Sequence, residues 1–543
     1  MLTYHSGRHL RNLTLLAAAG LCLACAQDSD TTTEGPVIGG TAAVGVASRP
    51  TTVLPPLATS SLDGELAVLL YLGLNYGEWG EGSLRYPTEH PLALARDWAI
   101  DGSKLTYRLD ASRRWSDGAP IVSRDVIFTY NLLRQMDHMP MSIAAARLDS
   151  VVAQDDSTVV FHFDREYPGM LYDSGVGILP EHVFGGLSEE ELAAAPRSGA
   201  DGEGSLVVSG PFTVAAWGPG DQIGLVRNPE SSVRPYLDRL VFRIIPDPTT
   251  RLTALQAGEL DLVQVESYRE ATRLAEATDA RVLRVPQRGY DYISWNPDSH
   301  AALADRNVRM ALSLAIDRDA ILAALDMTDF AEKAYGPYGS IFGDLAPLPP
   351  PGGDFDQTAA RSLLAGAGWV DVDGDGVRER NGVPLLFELR VPAENERRMD
   401  AVQLIQAELA NVGVRIEIKS QEFNSLFARA RARDYEAVFL GWQVGLDPDI
   451  SFFWADPEGP VNVSSYDGAE ARGHFDAALA ATTASEAAAH WREAARLIAA
   501  DYPYAFLWYF DFVWLASGRL AGVRMDPVGF LRNPHEWTVT EGR

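Results

Sequence analysis

The chain has 543 residues, 46% of them hydrophobic, 22% charged and 9% aromatic, which is room for roughly two to four compact units and excludes a disordered or fibrous chain. A formal net charge of -28, from 74 acidic against 46 basic residues, sets nucleic acid and anionic membrane surfaces aside as partners, since both would be repelled.

Both cysteines, Cys22 and Cys25, lie near the N-terminus, so the rest of the chain can form neither a disulfide nor a thiolate metal site. Arg8 and Arg11 flank an apolar run from Leu13 to Ala24, too short to cross a bilayer as a helix and patterned as an export signal. Residues 1–24 are expected to be a signal peptide of the lipoprotein type. Its end, Leu21-Cys22-Leu23-Ala24-Cys25, resembles a bacterial lipobox, although Cys22 stands where that pattern has Leu. Cys25 is the expected lipidation site, and acyl chains at about 0.8 kcal/mol per buried methylene would hold the chain on a membrane. Residues 25–52, rich in Ser, Thr, Gly and Pro, are expected to be a flexible tether, with ordered structure beginning near Leu54.

From there, alternation predicts a strand over 104–109, followed by a helix over 123–134 that Ser123 caps and Asp125 favours at the positive end of its dipole. A strand over 158–163 follows. Helical spacing recurs over 305–314, continuing to 325, and over 357–367 and 397–412, with strands expected at 385–390 and 412–418. The last helix spans 485–500. Beyond it Trp508, Tyr509, Phe510, Phe512 and Trp514 read as a buried strand, one face of which is a candidate cleft wall. The class is mixed α/β, with no internal repeat.

No phosphate-binding loop, dinucleotide fingerprint, zinc-protease motif or nucleophile elbow occurs, so no catalytic residue is assigned and no enzyme is expected. One local motif stands apart. Asp371, Asp373 and Asp375 alternate with Val372 and Gly374 ahead of Gly376, the opening of an EF-hand-like calcium loop. Position twelve is Gly382 rather than the closing Glu, while Glu379 at position nine is available as a ligand. Two readings stay open: a structural calcium site, and a tight acidic turn. No cofactor is otherwise required.

A series of segments, in order, resembles the extracellular solute-binding proteins of family 5, the peptide- and nickel-binding components of ABC transporters. Trp115, Ser116, Asp117, Gly118, Ala119 and Pro120 with Asp125, Val126 and Phe128 are similar to its most specific signature. Ser209 to Phe212 with Pro219, Gly220 and Asp221, then Asn296 with Arg309, Ala311, Leu312 and Ala315 to Asp317, resemble later ones. Gly441 and Trp442 with Asp447, Pro448 and Asp449 resemble a loop of the ligand cleft.

The resemblance implies a two-lobed periplasmic-binding-protein fold, class II-like, with an extra third lobe. The base lobe would comprise 53–80, 205–288 and 506–543, the extra lobe 81–204, and the second, ligand-closing lobe 289–505. It implies an extracytoplasmic protein, periplasmic or at the cell surface, that captures a peptide-like or other small organic solute for an ABC importer. Expected partners are the permease subunits and the ligand, with membrane contact through the lipid anchor only and the chain a monomer. The alternative on the same scaffold is a peptide-binding chaperone or sensory receptor module. Trp442, Gln443, Asn462, Ser464 and Trp508 are the expected ligand contacts. Peptide binders of the family hold the α-amine with an aspartate after the Gly-Trp pair, which is absent between Trp442 and Asp447 here. Asp447 could serve in its place, although the resemblance favours a loop-supporting role for it.

Overall fold

The structure, a computed structural model, describes residues 38–58, 60–135, 147–194, 206–217, 222–349 and 354–540. The expected signal segment 1–24, Cys25 and the first part of the expected tether lie outside the described residues. The remainder of that tether is a correction. Residues Thr41–Val46 form a strand, β1, with Ala42, Val44 and Val46 buried. A Cβ on Gly45 would come within 2.7 Å of Leu260 Cδ1, so the small residues that read as a tether are what a strand enclosed on both faces requires.

A separate antiparallel sheet of four strands, β2 (Ala95–Asp101), β3 (Lys104–Leu109), β4 (Leu148–Asp155) and β5 (Thr158–Phe163), has the spatial order β2-β3-β5-β4. Helix α1 (Ser123–Gln135) buries Val126, Thr129, Tyr130 and Leu133 beside it. The signature residues lock this region together. Asp125 accepts from Val122 N at 3.0 Å, from Glu181 N at 2.9 Å and from Trp115 Nε1 at 3.3 Å.

The main sheet has 11 strands. Besides β1 these are β6 (Phe212–Trp217), β7 (Gln222–Arg227), β8 (Arg239–Ile244), β9 (Leu262–Val265), β10 (Arg281–Trp295), β11 (Ala331–Lys333), β12 (Leu386–Pro392), β13 (Arg415–Gln421), β14 (Ala437–Gln443) and β15 (Tyr504–Ala516). Their order is β13-β12-β14-β10-β15-β9-β1-β8-β7-β6, with β11 also on β15. The long strands β10 and β15 form the middle of this order. The first part of β10 pairs with the end of β15 that also carries β9, and its second part pairs with β14. Between them the ladder breaks: Pro286 faces Asp511, yet Tyr290 faces Tyr509. Proline has no N–H to give to a ladder, and residues 287–289 leave it on the β15 side. β15 itself runs unbroken through the boundary expected at 505–506.

Charges bracket this irregular stretch. Arg284 Nη2 lies 2.6 Å from Asp511 Oδ2. Past the break, Asp291 is fully buried and accepts from Arg397 Nη2 at 2.9 Å, Arg398 Nη2 at 2.8 Å and Trp508 Nε1 at 3.0 Å. The helix expected over 305–325 is two helices, α2 (Arg306–Leu314) and α3 (Arg318–Ala324), because Asp317 caps the second by accepting from Ala320 N at 3.0 Å.

Candidate functional site

Trp442 and Gln443 end β14, beside the irregular stretch. Trp442 is half-buried in an aromatic nest, with ring centroids 5.1 Å from Phe453, 5.7 Å from Phe427 and 6.2 Å from Tyr292, and its Nε1 donates to Tyr504 OH at 3.4 Å. Gln443 is exposed and donates from Nε2 to Gln287 Oε1 at 3.1 Å. The other expected contacts are placed differently. Asn462 is buried, donates to Asp456 O and Tyr466 O, and accepts from Tyr466 N, so it closes its own loop. Ser464 is buried and donates to Asn462 Oδ1 at 3.3 Å. Trp508 has no exposed surface; its indole nitrogen is spent on Asp291 and its ring packs in the core. A side chain enclosed in this way cannot form a cleft wall.

A candidate cleft lies beyond Trp442, at the loop that follows it. A cavity of about 680 Å³ is lined by residues 446–449, by Tyr86, Arg147, Tyr167, Gly169 and Tyr172, and by residues 342–345 and 484–485. A second cavity of about 180 Å³ shares Leu84, Tyr86, Tyr172 and Leu446 with it and adds Tyr71, Asn75 and Arg532. Stretches distant in sequence thus meet here, among them 68–77, 84–86, 167–177, 342–345 and 446–449. The larger cavity is of the size that encloses a small organic ligand.

Its electrostatics are uneven. Asp447 accepts from Asp449 N at 2.9 Å, which braces the loop, and its carboxyl is pushed up to about 6, chiefly by burial and then by the negative charges of Asp449 and Asp173. Burial also raises Asp173, which accepts from Tyr167 OH at 2.5 Å. Arg147 is the cation that opposes these shifts; its Nη2 is 3.7 Å from Asp449 Oδ2 and its guanidinium lies 4.9 Å from the Tyr167 ring centroid. Three carboxyl groups therefore share one arginine among tyrosine rings, a setting that favours a further cation.

The acidic loop stands apart from the cleft. Asp371, Asp373 and Asp375 are exposed, with one ligand atom from each lying within 4.8 Å of the others. Asp371 accepts from Gly374 N at 2.7 Å and Gly376 N at 3.1 Å, and Glu379 Oε1 accepts from Val372 N at 2.8 Å. Gly374 and Gly376, at φ 77° and 91°, supply the left-handed turns that L side chains resist. The carboxylates suit a hard cation of the calcium type and also close the loop through backbone amides. Among the described residues no helix is long and apolar enough to cross a membrane.

The family described as "Bacterial extracellular solute-binding proteins, family 5 Middle" matches residues 87–460. The oligopeptide-binding protein AppA of Bacillus subtilis is 26% identical over 456 residues, covering 81% of this chain and 82% of AppA. Its structure in complex with a nonapeptide superposes with a TM-score of 0.71 at 25% identity, over 93% of this chain and 100% of that one. The substrate-binding protein CtaP of Listeria monocytogenes has the same fold, with a TM-score of 0.80 at 22% identity over 93% of this chain and 100% of CtaP.

The Asp-Pro-Asp loop was legible in the sequence, with a supporting role favoured for Asp447 over direct contact with an amine. Asp173, Arg147, Tyr86 and Tyr172 carry no linear signal, since ordinary residues form a candidate site only when the segments that hold them are laid against that loop.

Proposed function

We propose a mode of solute capture on a plain premise: the chain belongs to the bacterial extracellular solute-binding proteins of family 5, extracytoplasmic components that bind a solute and deliver it to an ABC importer. The solute is a peptide-like or other small organic molecule with an amino group, held between lobes that close about residues 287–289. The observation that carries this is Asp447. Asp447 lines the larger cavity near Asp449 and Asp173, and its carboxyl is raised to about 6, chiefly by burial and then by those two negative charges. An ammonium group is the partner a desolvated carboxylate lacks. Asp447 would take over the role of the aspartate missing after Gly441 and Trp442, and the AppA–nonapeptide structure supports a peptide-like ligand.

The same reading gives the permease subunits as partners, no covalent step, a monomeric chain anchored through lipid on Cys25, and a structural calcium at Asp371, Asp373, Asp375 and Glu379. Closure on a hinge buries the ligand and reopening releases it. Mass spectrometry of solute released from the purified, denatured protein tests the capture. An amine-bearing solute is expected; a solute without a basic nitrogen would sink the role given to Asp447.

A further inference from the structure

We propose that the chain has a second ligand site, separate from the solute cleft, that takes a small amphiphilic anion: an apolar chain or ring ending in one carboxylate. The site is a cavity of about 860 Å³, against about 680 Å³ for the larger cleft cavity. All of its lining residues lie between 313 and 506, so one stretch of chain builds it, whereas the cleft also draws on residues 81–86 and 147–172. Helix α4 (Ala484–Asp501) gives one wall through Ala499 and Ala500, the Ala-Pro-Leu-Pro segment 346–349 a second, and Tyr504 and Phe506 of β15 a third. Leu348 is 84% exposed although it belongs to that lining. An apolar ligand body there would take from water a surface that the fold leaves uncovered.

The charges at this cavity are mainly positive, in a chain whose net charge is -28. Arg318, Arg492 and Arg496 line it, against Asp344 and Glu493. Arg496 is spent on Glu493, with Nη2 2.6 Å from Oε1. Arg318 is only 4% exposed, yet its hydrogen bonds go to neutral acceptors. Its Nε donates to Phe506 O at 2.8 Å, its Nη1 to Ser313 O at 3.3 Å and Asp354 O at 3.1 Å, and its Nη2 to Ser313 Oγ at 2.8 Å. A guanidinium carries five N–H donors, so one on Nη2 has no acceptor among the described residues. The carboxylates whose charge reaches Arg318, those of Asp354 and Asp319, are each held by Lys333 Nζ at 2.7 Å. Arg492 is exposed, and among the described residues no carboxylate lies within ion-pair distance of it. A buried guanidinium without its own acid bears a desolvation cost that a bound carboxylate would offset, and the planar fork suits that group. The apolar walls are then left for the rest of the ligand.

The test uses the full exported chain, washed free of copurified solute and titrated in a calorimeter with decanoate and with decanol. One equivalent of decanoate is expected to bind, about tenfold or more tighter than decanol. Arg492→Gln should weaken decanoate by about threefold and leave decanol unchanged. Ala499→Trp, which puts an indole where the ligand body would lie, should abolish binding of both while retaining the copurified solute as the wild type does. No decanoate binding, or many weak equivalents in place of one, would overturn the site. Decanol bound as tightly as decanoate would overturn its choice of an anion. Undiminished decanoate binding in a folded Ala499→Trp would put the anion elsewhere and overturn the proposal. If Ala499→Trp does not fold, Ala499→Leu fills less of the space and should weaken both ligands; unchanged binding there would count against the site in the same way. Each of these results leaves the solute-capture reading standing.

Discussion

Replacing Asp447 by Asn should make the solute-free protein more stable and its capture weaker. The carboxyl is raised from 3.8 to about 6, so the folded state prefers the protonated form. Its penalty is absent below the ordinary carboxylate value and is complete above about 6. Wild-type stability should therefore fall as pH rises through that window, the reverse of a salt-bridged carboxylate. Roughly two units at 1.36 kcal/mol each give an upper bound of about 3 kcal/mol. The Asp447→Asn side chain would keep an oxygen to accept from Asp449 N, now at 2.9 Å, so the loop loses charge without losing its brace. Thermal melts of washed Asp447→Asn and wild type at pH 5 and pH 7.5 measure the effect, with the gain expected in full at pH 7.5 and about half of it at pH 5. Binding of the solute recovered from the wild type should fall by about tenfold or more, since the ammonium loses its charged partner. A variant no more stable than wild type at pH 7.5, or one that holds the solute equally well, would refute the reasoning.

Asp291→Ala strands two guanidinium groups and the Trp508 indole in the interior, and a loss of about 3–5 kcal/mol is expected from urea unfolding; a loss well below about 1 kcal/mol would mean water already screens the cluster. Millimolar calcium should raise the melting temperature over that in chelator if the acidic loop holds an ion, because a ligand bound only by the native state stabilises it. An unmoved transition leaves the loop as an acidic turn closed by its own amides. Labelled palmitate fed to the producing cells should enter the wild type and not Cys25→Ala, and label persisting in the variant would remove Cys25 as the anchor.

Local chemistry was readable wherever neighbours in sequence are also neighbours in space. Strands 104–109 and 158–163 follow from alternation, and the Trp115 and Asp125 signature folds into a local set of hydrogen bonds. Strand β1 was not readable as such, because Thr-Ala-Ala-Val-Gly-Val has the small residues of a linker and becomes a strand only between β8 and β9. Trp442 and Trp508 show the same limit at the site. An indole near a cleft motif has the area to bind a ligand or to fill a core, and the choice depends on what packs around it. The structure surrounds Trp442 with Phe427, Phe453 and Tyr292 and ties Trp508 to Asp291.

From its own order of residues the chain determined the family, the mixed α/β class and the Asp-Pro-Asp loop, all carried by short runs whose meaning does not depend on distant partners. Only the tertiary structure decided which charges are balanced. Asp291 and Arg288 stand three residues apart on one strand, yet the first is met by two arginines from the segment after β12 while the second meets no carboxylate among the described residues. Asp447 is likewise an ordinary acid in the sequence. It becomes a perturbed one because folding brings Asp173, Tyr167 and Tyr172 against its loop, and burial in low-dielectric surroundings, which no linear pattern records, sets the affinity of a charge for its partner.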